Sequence, residues 1–178
     1  MAKKKNLRDQ RALNEETMII FLKLIATAKR KLSRTDCIEK IQMKYPTSRP
    51  VRTQNTLNHL QKDGYVRFER NIYPRLTEKG EVYLETYHQK QKTHWDKRFR
   101  IILFDSIETS ANNREYIRAR IKQYGFIQLV RGAWIYPYPC DAFVKLLRLE
   151  YELTTNPTYL ITQDTESMSP IRKYFRLR

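Results

Sequence analysis

The amino-acid sequence predicts an α+β protein built from two small units. Helical spacing of apolar residues dominates the first half, and two short strand-like runs follow its third helix. The second half alternates strand and helix patterns in the order β-α-β-β-α-β. A chain of 178 residues with 40% hydrophobic residues is long enough to form two compact cores.

The charge of the chain indicates a polyanionic partner. Lys and Arg number 35 against 19 Asp and Glu, which gives a net charge of +16. Residues 1–94 hold 21 of the basic and 10 of the acidic side chains, so the first half is the more strongly basic. Such a surplus is typical of proteins that bind nucleic acid or an anionic membrane. No stretch is long enough to span a membrane.

The first two helices are predicted from their caps and their apolar spacing. Asn14 can cap the first, which runs to about Ala28. Ser33, with Asp36 three residues later, has the pattern of a capping box for the second, which runs to about Met43. Its inward residues are Cys37, Ile38 and Ile41.

The third helix has an apolar inner face and a polar outer face. Ser48 can cap it, Pro50 suits its first turn, and the inner face is Thr53, Leu57 and Leu60 at i, i+4 and i+7. Asn and Arg side chains can make two hydrogen bonds to adenine or guanine edges in a major groove, although a solvated basic helix has the same composition. The outward residues predicted to enter the groove are Arg52, Asn55, Asn58, His59 and Lys62.

A predicted β-hairpin follows the third helix. The runs YVRFER and YPRL flank a short turn at Asn71, an arrangement typical of a winged helix-turn-helix. Arg67 and Arg70 are interpreted as alternating with Val66 and Phe68, which would place both arginines on one strand face. Salt-dependent contacts with DNA phosphates are assigned to Arg49, Arg67, Arg70 and Arg75.

The second half has the element order of a split βαβ, or ferredoxin-like, domain. An apolar run from Phe99 to Phe104 predicts a strand buried on both faces, and it ends at Asp105. A basic helix follows from Arg114, and Gly125 is placed to end it. The remaining elements are the strands FIQLV and AWIYP, a helix over residues 142–153 and a strand over residues 157–162.

These residues also resemble a known family. The run WDKRFRIILFD, the basic helix ending in GF and the hairpin ending in GAWIYP are similar to the central domain of PaaX-type transcriptional repressors, over roughly Trp95 to Leu149. That domain is itself similar to the small nuclease subunit of CRISPR adaptation systems. In that subunit an aspartate at the end of the first strand faces its symmetry mate, and the two hold a divalent metal. Asp105 matches this position.

Asp105 therefore has two interpretations. As a metal ligand it would make the protein a Mg²⁺-dependent endonuclease with an added DNA-binding domain. As a structural residue it would cap the turn after a buried strand, and this interpretation is favoured. The sequence holds no GxxxxGK[ST], GxGxxG or GxSxG motif, and Cys37 and Cys140 match no metal-ligand spacing.

The sequence thus predicts a cytoplasmic, homodimeric transcriptional repressor that binds a palindromic operator in double-stranded DNA, and not an enzyme. A third interpretation is a non-catalytic adaptor that bridges a nucleic acid and a protein complex. No cofactor, metal or membrane is expected, and no small-molecule effector is identified.

Phe175 and Leu177 are expected to add an edge strand to a neighbouring subunit or to lie in a loose tail. The predicted divisions are a winged helix-turn-helix with a basic arm over residues 1–77, a helical linker over 78–94, a ferredoxin-like dimerisation domain over 95–163 and a basic tail over 164–178.

Overall fold

The computed structural model describes residues 16–45, 50–91, 94–104, 111–151, 157–164 and 168–177. The chain divides into two compact units, Met1–Glu85 and Thr86–Arg178. The boundary between them falls inside the helix Glu78–Lys90.

The first unit combines helices with one β-hairpin. Its strands pair antiparallel, with Val66 opposite Leu76. The helix Arg34–Lys44 begins with the predicted capping box: the Ser33 hydroxyl accepts a hydrogen bond from the Asp36 N–H at 3.1 Å, and the Asp36 carboxylate accepts one from the Ser33 N–H at 2.8 Å. The elements are α1 (16–27), α2 (Arg34–Lys44), α3 (Pro50–Lys62), β1 (Val66–Glu69), β2 (Tyr73–Leu76) and α4 (Glu78–Lys90).

The core of the first unit takes one face from each helix. Thr53, Leu57 and Leu60 of α3 are fully buried, which confirms the predicted inner face. Cys37 and Ile41 of α2 are buried as well, together with Phe21 and Leu22 of α1. Ile38 is only half-buried, against the prediction. The opposite face of α3 is therefore left to the solvent.

The second unit contains a four-stranded antiparallel sheet. Its elements are β3 (Arg98–Leu103), α5 (Ala111–Tyr124), β4 (Ile127–Val130), β5 (Ala133–Tyr136), α6 (Asp141–Tyr151), β6 (Thr158–Gln163) and, after the sheet, α7 (Ser169–Phe175). From β3 to β6 they follow one another as β-α-β-β-α-β. The strand order in the sheet is β4-β5-β3-β6, and each neighbouring pair runs antiparallel.

One face of this sheet packs against α5 and α6. Tyr124 of α5 stacks on Phe143 of α6 with ring centroids 3.9 Å apart. Gly125 ends α5, as its position in the sequence predicts. Its φ is +121°, a backbone conformation that residues with a Cβ rarely adopt. The buried cluster includes Ile102, Ile117, Ile121, Phe126, Trp134, Tyr136 and Leu147.

The other face of the sheet is only partly covered. Phe99 and Ile102 lie on opposite faces of β3 and both are fully buried. Leu103, however, exposes 39% of its surface, and Leu160, which pairs with Ile101, exposes 45%. The prediction of burial on both faces is right for the start of β3 and wrong for its end, because an apolar run does not reveal what covers each face.

Phe175, expected in an edge strand or a loose tail, lies at the end of the helix α7. Leu177 follows this helix, and its N–H donates to the Arg172 carbonyl at 3.0 Å. Pro170 lies in the first turn of α7, where its fixed φ and missing N–H suit a helix. The Arg172 guanidinium pairs with the Asp164 carboxylate, and Phe175 packs against the core of the second unit. Pro170 thus belongs to the start of a helix.

The architecture is α+β, as the sequence predicts. Over the ranges that the structure describes, every helix is too short or too polar to cross a lipid bilayer.

Candidate nucleic-acid interface

Helix α3 turns a polar face to the solvent. The buried residues described above hold its inner face, so its amide and basic side chains point outward. The described side chains do not include that of Arg52, and Arg49 lies outside the described residues. The predicted groove residues that the structure places on this exposed face are Asn55, Asn58, His59 and Lys62.

Arg34, which no sequence motif marks, joins this face to the start of α2. Its Nη1 donates to Asn58 Oδ1 at 2.7 Å, and its Nη2 donates to Gln61 Oε1 at 3.1 Å. Its guanidinium carbon lies 4.5 Å from the ring centroid of Phe68 in β1, within cation–π range. Because these residues belong to three different elements, only the fold brings them together.

The β1–β2 hairpin ends in a tight turn. The Ile72 N–H donates to the Glu69 carbonyl at 3.1 Å, and the central residues Arg70 and Asn71 have φ of 51° and 56°. Positive φ at both central positions is the mark of a type I′ turn, whose twist matches that of a hairpin. Arg70 therefore lies at the hairpin tip and does not share a strand face with Arg67. The predicted common face was wrong, because side chains alternate with a period of two and these residues are three apart.

Two arginines face each other across the hairpin. Arg67 pairs directly with Arg75. Glu69 forms ion pairs with Lys31 at 3.2 Å and with Arg75 at 3.3 Å, and the hydrogen bonds from Lys31 and then Arg75 hold the pKa of Glu69 below its usual value. One carboxylate cannot balance three cations, so this surface keeps a positive surplus.

The hairpin is held against the start of α2. The Arg34 N–H donates to the Ile72 carbonyl at 3.1 Å, and the Lys31 ammonium lies 5.8 Å from the ring centroid of Tyr73. The capping box at Ser33 fixes the backbone between these two contacts. The start of α2 therefore positions the hairpin and, through the Arg34 side chain, α3.

In the second unit a buried arginine anchors the sheet. Arg100 donates to both carboxylate oxygens of Asp96, at 2.6 and 2.5 Å, and to the Pro137 carbonyl at 3.0 Å. The Arg100 side chain is 5% exposed and that of Asp96 is 38% exposed. The hydrogen bonds from Arg100 lower the pKa of Asp96. A guanidinium carried into a core needs such a partner, so this pair is structural.

Asp105, the alternative metal ligand, lies outside the described residues. Among the residues that are described, no group of three or more His, Cys, Asp or Glu is arranged to hold a metal ion. Cys37 and Cys140 are free and buried. Burial raises the pKa of Cys37 to about 11 and that of Cys140 to about 12, so both thiols stay protonated at neutral pH.

Comparison with known proteins relates the second unit to one family. Residues 92–173 match the family model of the PaaX protein central Cas2-like domain, which supports a PaaX-type relationship for this part of the chain. A comparison with curated proteins gives no match. Among solved structures, the chain is similar to an uncharacterized protein from Mycobacterium tuberculosis, with 18% sequence identity and a TM-score of 0.41 over 88% of this chain. The chain covers 64% of that protein, which is less than two thirds of its length.

Proposed function

We propose that this protein is a PaaX-like, sequence-specific DNA-binding regulator of transcription. It acts in the cytoplasm as a homodimer and represses by occupying a palindromic operator. The first unit contacts DNA as a winged helix-turn-helix, and the second unit dimerises as a ferredoxin-like domain. The match of residues 92–173 supports the PaaX-like assignment.

The arrangement of elements supports both architectural assignments. In the first unit α2 and α3 precede a two-stranded hairpin, the order expected of a winged helix-turn-helix. In the second unit the succession β-α-β-β-α-β and the antiparallel order β4-β5-β3-β6 are those expected of a split βαβ domain.

One observation carries the proposed DNA contact. Helix α3 exposes its amide and basic side chains on the unit whose hairpin places Arg67 directly opposite Arg75. Like charges directly opposite destabilise a hairpin, so folding alone does not favour this pair. A major groove admits one helix, and basic side chains beside it can contact the phosphates. We assign the groove to Arg52, Asn55, Asn58, His59 and Lys62 and the phosphates to Arg49, Arg67, Arg70 and Arg75.

The partly covered sheet face supports dimerisation through the second unit. Leu103 and Leu160 are exposed there, and Val130, paired with Ala133 on the same face, exposes 66% of its surface. Apolar side chains grouped on one surface favour burial against a partner. A second copy of the chain would also supply the second DNA-reading unit that a palindrome requires.

A second candidate function is a Mg²⁺-dependent endonuclease. The match to a Cas2-like domain favours it, because Asp105 follows β3 closely in the sequence. A pair of such carboxylates from two copies could hold Mg²⁺ against a phosphodiester.

A native-gel assay separates the two functions. Labelled duplex from upstream of the protein's own gene is incubated with the wild type and with Asp105→Ala, in EDTA and in Mg²⁺. We expect an intact shifted band, resistant to competitor DNA, in both buffers and with both proteins. Loss of full-length probe that needs Mg²⁺ and disappears with Asp105→Ala would replace the regulator with the nuclease.

The proposed roles of α3 and the hairpin predict different mutant behaviour. Asn55→Ala should relax sequence preference, because a base contact is lost. Arg70→Ala should weaken binding to all DNA alike and reduce the salt slope by about one, because a phosphate contact is lost. Fluorescence anisotropy on operator and scrambled duplexes over a range of KCl concentrations measures both effects. Equal losses on the two duplexes for both variants would contradict the assignment.

A further inference from the structure

The contacts of Arg34 fix the orientation of two side-chain amides on the exposed face of α3. A guanidinium carries only hydrogen-bond donors, so any amide group that bonds to it must turn its oxygen inward. Asn58 Oδ1 at 2.7 Å and Gln61 Oε1 at 3.1 Å both meet the Arg34 guanidinium. Each amide oxygen therefore faces inward, and the NH₂ group is the part of the amide turned toward a partner outside the protein.

Arg34 itself has little freedom to release these amides. Its backbone N–H donates to Ile72 at the hairpin tip, and its guanidinium packs on the ring of Phe68 at 4.5 Å. Ser33 caps the helix immediately before it. The orientation of Asn58 and Gln61 is thus set before any ligand arrives.

This geometry changes what Asn58 can recognise. The two-bond contact between an asparagine and adenine needs the amide oxygen to accept from adenine N6 and the amide nitrogen to donate to N7. The Asn58 oxygen is directed at Arg34 and away from the solvent, whereas Asn55 makes no such hydrogen bond among the described residues. A side chain that turns its NH₂ group outward is suited instead to guanine, which presents two acceptors, O6 and N7, on its major-groove edge.

We infer that Arg34 is a positioning residue that makes Asn58 and Gln61 hydrogen-bond donors, so that the end of α3 selects guanine in each half-site. The inference rests on the proposed DNA-binding function and specifies which base this part of the interface prefers. Asn58 and Gln61 lie three residues apart on the helix, so their NH₂ groups are neighbours on one surface.

The test selects binding sites from randomised duplexes with the full-length protein and four variants. Asn58→Asp and Gln61→Glu keep an inward acceptor for Arg34 but turn the outward donor into an acceptor. Arg34→Met removes the guanidinium and frees both amides. The matched control is Gln123→Glu, which makes the same charge change at an exposed residue in the last turn of α5. All proteins are melted first, and the melting temperature of Asn58→Asp should equal or exceed that of the control.

The wild type and Gln123→Glu should select guanine at one or two positions in each half-site. With Asn58→Asp or Gln61→Glu, one of these positions should change to cytosine, whose N4 group donates, with about a tenfold loss of binding to the wild-type site relative to the control. Arg34→Met should lose the guanine preference at both positions.

Two results would overturn the inference while leaving a DNA-binding protein in place. One is a guanine preference that persists in the two acidic variants and in Arg34→Met. The other is a lower melting temperature for Asn58→Asp than for Gln123→Glu, since a better acceptor cannot weaken a bond donated by Arg34. If the wild type selects no sequence at all, the proposed function fails, and the inference falls with it.

Discussion

Glu69 lies between two cations of the hairpin surface, Lys31 and Arg75. Replacing it with Gln removes the charge that holds both of them. We expect Glu69→Gln to bind DNA more tightly than the wild type, with a salt slope steeper by about 0.9 for each released cation that meets a phosphate. Fluorescence anisotropy at several KCl concentrations measures both quantities.

The control for this effect is Glu39→Gln, because Glu39 is exposed on α2. It makes the same change in net charge and should alter affinity only slightly. Weaker DNA binding by Glu69→Gln, or an equal gain for both variants, would show that Glu69 does not limit the hairpin cations.

Asp96 provides a residue-scale prediction that depends on pH. The hydrogen bonds from Arg100 lower the pKa of Asp96 from its ordinary value of 3.8. The stability that Asp96 contributes is therefore fully present above about pH 4 and is lost as the pH falls through the lowered folded pKa. Asp96→Asn leaves the buried Arg100 without its counter-ion. Its cost at pH 7 should be on the order of 2 kcal/mol, less than for a fully buried pair because Asp96 is partly exposed.

The difference between wild type and Asp96→Asn should shrink as the pH falls below about 4, because the unfolded carboxylate takes up a proton there while the folded one is still paired with Arg100. Urea unfolding followed by tryptophan fluorescence at pH 7 and pH 3 checks this. Asp63→Asn, the same change at an exposed turn residue, should have little effect at either pH. If the loss of stability in Asp96→Asn does not change with pH, the charge of Asp96 is not what stabilises the protein.

At the scale of elements, Gly80 is where packing reverses the effect of helix propensity. Replacing glycine with alanine in a helix normally raises the free energy of unfolding by about 0.5–1 kcal/mol. A Cβ at Gly80 in α4 would lie 2.2 Å from the Tyr65 carbonyl oxygen, which also accepts the Thr77 N–H at 3.1 Å. Gly80→Ala should therefore destabilise the first unit by about 1–3 kcal/mol, as overpacking does.

Gly64→Ala is the comparison that separates a clash from backbone strain. Gly64 follows α3 with φ +76°, but a Cβ there meets nothing within 4 Å. Its substitution should cost about 1–2 kcal/mol from the left-handed backbone alone. Chemical denaturation of both variants gives the two values. An increase in stability for Gly80→Ala would show that helix propensity outweighs the contact with the Tyr65 carbonyl.

The sequence predicts elements better than it predicts their neighbours. Apolar spacing finds the inner face of α3, and the Ser33 capping box finds the start of α2, because both signals are local. The bond between Arg34 and Asn58 joins residues 24 positions apart, so no local pattern reveals it. The helix α7 is missed because a proline can mark either the first turn of a helix or a loop, and the sequence alone does not distinguish the two. The hairpin is predicted, but its first strand ends at Glu69, so Arg70 lies in the turn. The last residue of a strand is the feature that a sequence pattern predicts least well.

At the scale of the whole molecule, the two units differ in net charge and in exposed apolar surface, and this difference assigns one part of the proposed function to each unit. Residues 1–94 carry 21 basic and 10 acidic side chains, and residues 95–178 carry 14 and 9. Phosphate attraction is thus concentrated in the part that contains α3 and the hairpin. The exposed apolar side chains Leu103, Val130 and Leu160 belong to the other unit. This division fits one unit that contacts DNA and one that joins two copies.

A two-fold dimer of this kind requires its half-sites to be in helical phase. The centres of two half-sites on one face of DNA lie about 34–36 Å apart, one helical turn of about 10 base pairs, or a multiple of it. Inserting five base pairs into the selected operator turns the second half-site to the opposite face, so affinity should fall to that of an operator with one scrambled half-site. Inserting ten base pairs restores the phase and should recover at least part of the loss. Gel-shift titrations of the four duplexes, with stoichiometry from the saturation point, give two protein chains for each intact operator if the proposal is right. An affinity that ignores the five-base-pair insertion would show that each chain binds alone, and the sheet face of the second unit would then need another partner.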